Sequence, residues 1–304
     1  MDLRRLEHFL AVVDHGGFTA AARQVSASQP GLSLAVKELE LELGVPLFER
    51  LGRRLLLTSA GEALVGPARQ ALRDVETGRA AVAAVSGLGA GTLALASLPT
   101  LAADPMAELV GRFRQQYPGL FVDLSAPEDT SDLVAMVRDG RCEVGLSEAG
   151  DLPEDLIGRD IGKQALLLIL PPGIALGPHS GSTDPARVGT GAPMLALADI
   201  DIPFIAAPIG TSTRRLLDEG FTAAGANPHV VVVTAQRDAI LPLVLAGAGA
   251  ALVPEPIAAV AAALGATVVR PTPPVERRIA LIHRRGPLAP AAARFVELAT
   301  AAST

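Results

Sequence analysis

VSASQPGLSLAVKELELELGVPLFERLGRRLLLTSAGE, residues 25–62, passes from a polar turn through an amphipathic run into a short arginine-rich segment. Ser28 predicts a helix N-cap, and Pro30 lies in the first turn, where a missing backbone N–H costs little. Leu32, Val36, Leu39 and Leu43 recur at helical spacing, and Gly44 predicts the stop. Phe48 and Leu55 to Leu57 predict two short strands, with Arg50, Gly52, Arg53 and Arg54 at or near the turn between them. Thr58 or Ser59 then starts another helix; Ser59 with Glu62 matches the S-x-x-E capping box.

Upstream, Leu3, Leu6, Leu10 and Val13 mark one face of a helix that Gly16 and Gly17 end, and Phe18 to Val25 forms a second short helix. Two short helices, a turn, a third helix and a basic hairpin make a winged helix-turn-helix. In that geometry the third helix enters the major groove of double-stranded DNA by its N-terminal end. Gln29, Pro30, Ser33, Leu34 and Lys37 face outward there. Gln can bond an adenine edge bidentately, and Pro30 or Leu34 can touch a thymine methyl. The hairpin arginines suit phosphates or a narrow minor groove. Seven cations and seven anions precede Ala60, so the segment is neutral overall, and Glu38, Glu40 and Glu42 fall in the half of the helix away from the groove. The pattern alone also fits a solvated acidic helix beside a structural hairpin.

Downstream, Leu64, Ala68, Leu72, Val75, Val82 and Val85 give a long helix with an apolar stripe, ending at Ser86–Gly91, with a kink expected at Pro67. Because no other core is evident for that stripe, Leu64, Leu72, Val75 and Val82 are expected to form a dimer seam. After Gly91, short apolar runs alternate with amphipathic helices, which predicts a parallel α/β sheet. The apolar stretch Ala239–Val269 is broken by Pro242, Gly247, Gly249, Pro254, Glu255 and Pro256, so no clean run of about 18 residues spans a membrane. It reads as helix, glycine turn, strand and helix.

The chain has 304 residues and a net charge of −6, so any contact with nucleic acid rests on local cations. Its 49% hydrophobic and 19% charged residues describe a globular chain of about two domains. The single cysteine, Cys142, excludes an internal disulfide or a cysteine-based metal cluster, and a buried structural thiol is expected. Glu7 and His8 interrupt any signal-peptide core, so a cytoplasmic location is expected. Five dispersed histidines lack metal-ligand spacing, G-L-G-A-G precedes a strand rather than following one, and no G-x-S-x-G occurs. No metal, cofactor or catalytic residue is expected.

The order F-T-x-A-A, S-Q-P-x-L-S, L-E-x-E-L-G-V-P-L-F-E-R and L-T-x-A-G-E, within residues 3–62, resembles the LysR-type bacterial transcriptional regulators. Weaker similarity continues through FRQQYPGLFVDL, LPPG and LAGAGAALVPE. The resemblance implies a winged helix-turn-helix over 1–58, a linker helix over 59–88 that pairs two chains, and an effector-binding domain over 89–304. That domain would have the α/β two-lobed fold of periplasmic binding proteins (type 2). It implies a homo-oligomer, a dimer through the linker helix and a tetramer beyond it, that binds promoter or operator DNA. Position by position, Thr19, Gln29, Pro30 and Ser33 would read or position DNA, and Arg50, Arg53 and Arg54 would hold its backbone. Leu34 departs from the arginine common there in the family.

The lobe crossings are expected near Gly162 and Val268, giving lobe one as 92–162 and 269–304, and lobe two as 163–268. Ligands of open α/β sheets bind at the carboxyl ends of strands and at helix N-termini. The polar loops there offer Ser97, Thr100, Thr130, Ser131, Thr211, Ser212, Thr213, Thr234 and Gln236. These suit a small polar or carboxylated effector, although each hydroxyl also suits ordinary N-capping. Glu148, after a lobe-one strand, would favour a ligand bearing an amine or hydroxyl over a plain dicarboxylate. Arg214 also reads as surface charge. The alternatives are a regulator answering to redox state or a protein partner, and a solute-binding protein on the same fold.

Overall fold

The computed structural model describes residues 2–25, 27–51, 54–85, 91–174 and 191–301. The N-terminal unit opens with α1 (Leu3–His15), α2 (Phe18–Gln24) and α3 (Gln29–Leu43). Asp2 caps α1, and Gly16 closes it in the left-handed conformation (φ 67°). Ser28 caps α3 through Gly31 N–H at 3.2 Å, and Gly44 closes it at φ 73°. Leu32, Val36 and Leu39 are buried, whereas Leu43 is 38% exposed. The wing is an antiparallel pair, β1 (Phe48–Leu51) and β2 (Arg54–Leu57). Glu40 reaches back to accept from the backbone N–H of Leu47 (2.7 Å) and Phe48 (3.2 Å), fixing the wing on α3. Arg5 pairs with Glu42 at 2.9 Å and Glu38 at 3.3 Å. The acidic half of α3 is therefore engaged within the fold and is not a free negative face.

Helix α4 (Ser59–Val85) continues through Pro67. Its cap is Thr58, whose hydroxyl accepts from Gly61 N–H (3.1 Å) and donates to Pro46 O (2.7 Å), so the Ser59–Glu62 box does not form. Gly61 has a steric reason: a Cβ there would stand 2.2 Å from Leu47 O. The stripe on α4 is not without a core. Leu64, Ala68 and Leu72 pack against Leu6, Phe9, Leu10, Leu39 and Leu47, which corrects the premise that made Leu64 and Leu72 seam residues. Val75 is half-buried, and Val82 is 69% exposed. The expected glycine turn at 86–90 lies outside the described residues.

The C-terminal unit begins with β3 (Gly91–Ser97), the single turn α5 (Pro99–Leu101), α6 (Ala107–Gln116), β4 (Leu120–Ser125), α7 (Thr130–Arg138) and β5 (Val144–Glu148). Strands β4, β3 and β5 are parallel. The long β6 (Leu156–Leu170) then crosses into a second lobe made of β7 (Met194–Ala196), β8 (Phe204–Ala206), α8 (Ser212–Ala223), β9 (Val230–Val233), α9 (Ile240–Leu245), β10 (Ala251–Pro254), α10 (Glu255–Ala263) and β11 (Thr267–Thr272). The chain returns along β12 (Val275–Arg284) and ends in α11 (Pro290–Ala301). The sheet order is β4-β3-β5-β12-β6-β11-β7, with β10 also on β6 and β8-β9 separate. The expected parallel sheet is thus mixed even in the first lobe: β4, β3 and β5 are parallel, but β12 runs antiparallel to both β5 and β6, and β6 and β12 continue as an antiparallel pair into the other lobe.

One core lies in lobe one, around Leu93, Leu95, Phe113, Leu146 and Phe295. Two more line the second-lobe sheet, around Phe204, Leu217 and Phe221 and around Ile169, Val244 and Ala261. Val268, Val269 and Val275 belong to second-lobe cores and Ile279 to the first. The return crossing therefore falls between Val275 and Ile279 on β12, not near Val268. The outgoing crossing is where expected: Gly162 has φ 112°, and the β6–β12 register shifts beside it, between Ile279 and Ala280. Over Ala239–Val269 the order is α9, β10, α10 and β11, and among the described residues no helix is long and apolar enough to cross a membrane.

Candidate functional site

The first candidate surface is the start of α3. Gln29, Pro30, Leu34 and Lys37 are exposed there, Ser33 is half-buried, and Thr19 is exposed at the start of α2. Leu34 is 57% exposed. Arg53 and the side chains of Arg50 and Arg54 lie outside the described residues; the backbones of Arg50 and Arg54 are in β1 and β2.

The second surface is the cleft between lobes, and its centre is a residue that the sequence reading passed over. Arg277, on β12, has a side chain only 3% exposed. Its Nε donates to Gln164 Oε1 at 3.0 Å, and its Nη2 donates to the same oxygen at 2.6 Å. Nη2 also donates to the Thr100 hydroxyl. Nη1 donates to Glu148 Oε1 at 3.0 Å and to Ser212 Oγ at 2.6 Å. A guanidinium has five N–H donors, and these five bonds use them all. Burial, reinforced by the neighbouring Arg215, lowers the Arg277 pKa to about 10, so it remains a cation at neutral pH.

Around this arginine the two lobes meet. Glu148 ends β5 in lobe one and accepts from Ser212 in the first turn of α8 and from Arg215 one turn on. Gln164 Nε2 donates to Thr100 O (3.2 Å) and to the Asp104 backbone carbonyl. A second cross-lobe ion pair, Arg237 to Glu128 at 2.8 Å, ties the rim. Of the expected effector residues, then, Thr100, Glu148 and Ser212 converge.

The others do not join this cluster. Ser97 is fully buried and donates to Leu98 O (3.2 Å). Thr130 accepts from Ser147 Oγ at 3.3 Å, and Ser131 donates to the α7 cap Asp129 at 2.7 Å. Asp129, held by the Asp132 backbone N–H and then the Ser131 hydroxyl, has its carboxyl pKa lowered. Thr211 is the buried cap of α8 and donates to Pro208 O (2.8 Å). Thr213 is half-buried in the first turn of α8, Gln236 is exposed, and Thr234 accepts from the Gln236 backbone N–H (3.0 Å). Arg214 is paired with Asp218 at 3.0 Å. Arg277 and Gln164 did carry a signal: each falls in phase with buried apolar residues of its strand, Val275 and Ile279 for one and Leu166 and Leu168 for the other.

A winged helix-turn-helix joined by one long helix to a two-lobed domain with a polar cluster across its cleft defines a ligand-responsive DNA-binding protein. Residues 3–62 match the family description "Bacterial regulatory helix-turn-helix protein, lysR family", and residues 86–304 match "LysR substrate binding domain". The chain belongs to the LysR family of DNA-binding transcriptional regulators, with an effector-binding domain after its DNA-binding one. Among relatives, the HTH-type transcriptional regulator CbbR of Rhodospirillum rubrum is 28% identical over 99% of this chain and 96% of its own. The regulator IlvR of Caulobacter vibrioides is also 28% identical, over 99% and 98%. The crystal structure of CbnR, a LysR family transcriptional regulator, aligns over 100% of both chains with TM-score 0.65 and 26% identity. CbnR complexed with its target DNA aligns at TM-score 0.54 and 27% identity. These relatives are named as regulators, and the chain is a regulator, not an enzyme.

Proposed function

We propose that this regulator reads a specific operator with the start of α3, and that a small polar molecule bound between its lobes sets how it sits on that operator. The supporting observation is the Arg277 cluster, which joins Thr100 and Glu148 of lobe one to Ser212 of lobe two. A ligand touching both sides has different binding energy in different lobe arrangements, which is what a population shift requires. Gln29, Pro30, Ser33, Leu34 and Lys37 are the proposed base-facing residues; Thr19 and the wing residues Arg50, Arg53 and Arg54 are the proposed phosphate contacts. The working division is a DNA-binding domain over 1–58, a linker over 59–88 and an effector domain over 89–304. We place the protein in the cytoplasm as a homo-oligomer, dimeric through the outer face of α4 around Val75 and Val82 and tetrameric beyond that.

Genome-wide mapping of its DNA sites supplies candidate effectors from the genes beside them. Hydrogen exchange with and without the effector then tests the site. Protection is expected at Pro99–Leu101 and in the first turn of α8 together. Protection confined to either lobe alone, or to neither, would remove the interlobe site. A redox-sensing alternative has one thiol to use, and Cys142 is 1% exposed with its pKa pushed up to about 12 by burial.

A further inference from the structure

The cleft holds its own anion. Resting on the interlobe reading above, we propose that Glu148 is a selectivity residue that excludes anionic ligands, so that the effector is an uncharged or cationic molecule offering hydroxyl or amine donors.

Three observations carry this. First, a buried arginine is the usual feature by which a cleft captures a carboxylate, because its planar fork matches the two oxygens. Here that fork is spent: all five donors of Arg277 already have protein acceptors, one of them the Glu148 carboxylate. Second, the start of α8 offers the partial positive charge that attracts anions. Its Ser212 hydroxyl and its Arg215 guanidinium both donate to Glu148 instead. Third, the local charge is not positive. Arg277 and Arg215 meet Glu148, Glu219 (3.0 Å from Arg215) and the Asp104 carboxylate, which lies 3.4 Å from Gln164. An entering carboxylate would find no unused guanidinium donor on Arg277 and would face the half-enclosed Glu148 carboxylate, a like charge less screened there than in open water. An amine or hydroxyl finds the opposite: the oxygens of Glu148 can accept one more bond, since a carboxylate has about four lone-pair sites.

Glu148→Gln removes the charge with almost no change of shape and leaves Arg277 and Arg215 in need of an anion. Glu148→Asp keeps the charge. Wild type and both variants would be titrated with formate, acetate and sulfate, anions small enough to need no matched pocket. Ionic strength is held fixed, and hydrogen exchange of Pro99–Leu101 and of the first turn of α8 is read. Saturable protection is expected for Glu148→Gln at a midpoint at least about tenfold below any seen for wild type or Glu148→Asp. The proposal is overturned if wild type is protected at the same concentrations as Glu148→Gln. It is overturned equally if Glu148→Gln, folded by circular dichroism, gains no protection, because Glu148 is then not what keeps anions out. The interlobe reading fails on a separate result, an effector that does not protect both of these segments together.

Discussion

At the scale of single residues, the two sites are tuned by different physics. At the start of α3 the proposed base-facing side chains are exposed, apart from the half-buried Ser33. Gln29→Ala removes a bidentate donor–acceptor pair and should lose about 1–3 kcal/mol at the cognate operator while leaving binding to random DNA nearly unchanged. Competition of labelled operator against both DNAs measures this, and an equal loss on the two would return Gln29 to a role in positioning. In the effector domain the buried residues are already satisfied. Cys142 has its proton held by burial, with Glu143 adding to that and Arg284 and Arg141 opposing it. Its folded pKa of about 12 lies above the ordinary value of 9.0. The sign follows: the thiol's contribution to stability is complete below pH 9 and is lost as pH rises towards 12. Wild type should therefore lose stability relative to Cys142→Ala across that window in chemical denaturation. Alkylation at pH 8 should be orders of magnitude slower than in denaturant, because the thiolate is the reacting form. Fast modification of the native protein, with loss of operator binding, would revive a redox mechanism.

At the scale of elements, local signals read well and long-range ones did not. Ser28, Pro30 and Gly44 act within one turn of helix, so the bounds of α3 were legible from the residues themselves. The stripe on α4 was legible too, but a stripe does not say what it faces; the answer, Leu6, Phe9 and Leu10 on α1, comes from residues more than fifty positions away. The same limit explains β6. Its apolar second half announces a strand, while Leu156 to Lys163 carries exposed polar residues and reads as a loop, although β12 pairs with every residue of it but Ile161. Arg277 went unseen because an arginine in RRIALIHRR resembles solvated charge until its phase with Val275 and Ile279 is noticed. The corrected packing of α4 changes what a mutation there should do. Leu72→Asp puts a carboxylate against the N-terminal core, where an unpaired charge costs several kcal/mol. The helix-turn-helix should unfold first, with operator binding lost and the effector domain's own thermal transition retained. A variant that keeps a folded N-terminal domain and merely dissociates would restore Leu72 to the dimer seam.

At the scale of the whole molecule, the question is where the two lobes turn. Only β6 and β12 connect the lobe-one core to the second lobe among the described strands, and they pair across the crossing. Beside that crossing β6 carries one more residue than β12, a bulge that bends a strand and sharpens its twist. The extra residue is Ile161; Gly162 flanks it, paired with Ile279, at φ 112°, a conformation that side chains rarely adopt, and its N–H is held by Asp160 at 2.8 Å. Nothing lies within 4 Å of where a Cβ would stand, so a side chain there is opposed by the backbone and not by a neighbour. Gly162→Ala should therefore fold, with a loss of roughly 1–3 kcal/mol from the strained dihedral, and should relieve part of it by flattening the bulge. The lobes would then take a new resting angle. Gly225, just after α8, provides the control: it has φ 69° and an equally empty surrounding, but it lies on neither of the two crossing strands. Both variants are expected to lose stability, whereas only Gly162→Ala should change the effector's influence on operator affinity, since a ligand shifts an equilibrium only by its differential affinity for the two arrangements. Denaturation curves and operator titrations with and without effector separate these effects. If the two variants respond to effector alike, the crossing at Gly162 is a rigid joint, and the coupling must run through the packing of α4 on lobe one, where Arg73 donates to Asp139 O at 3.3 Å.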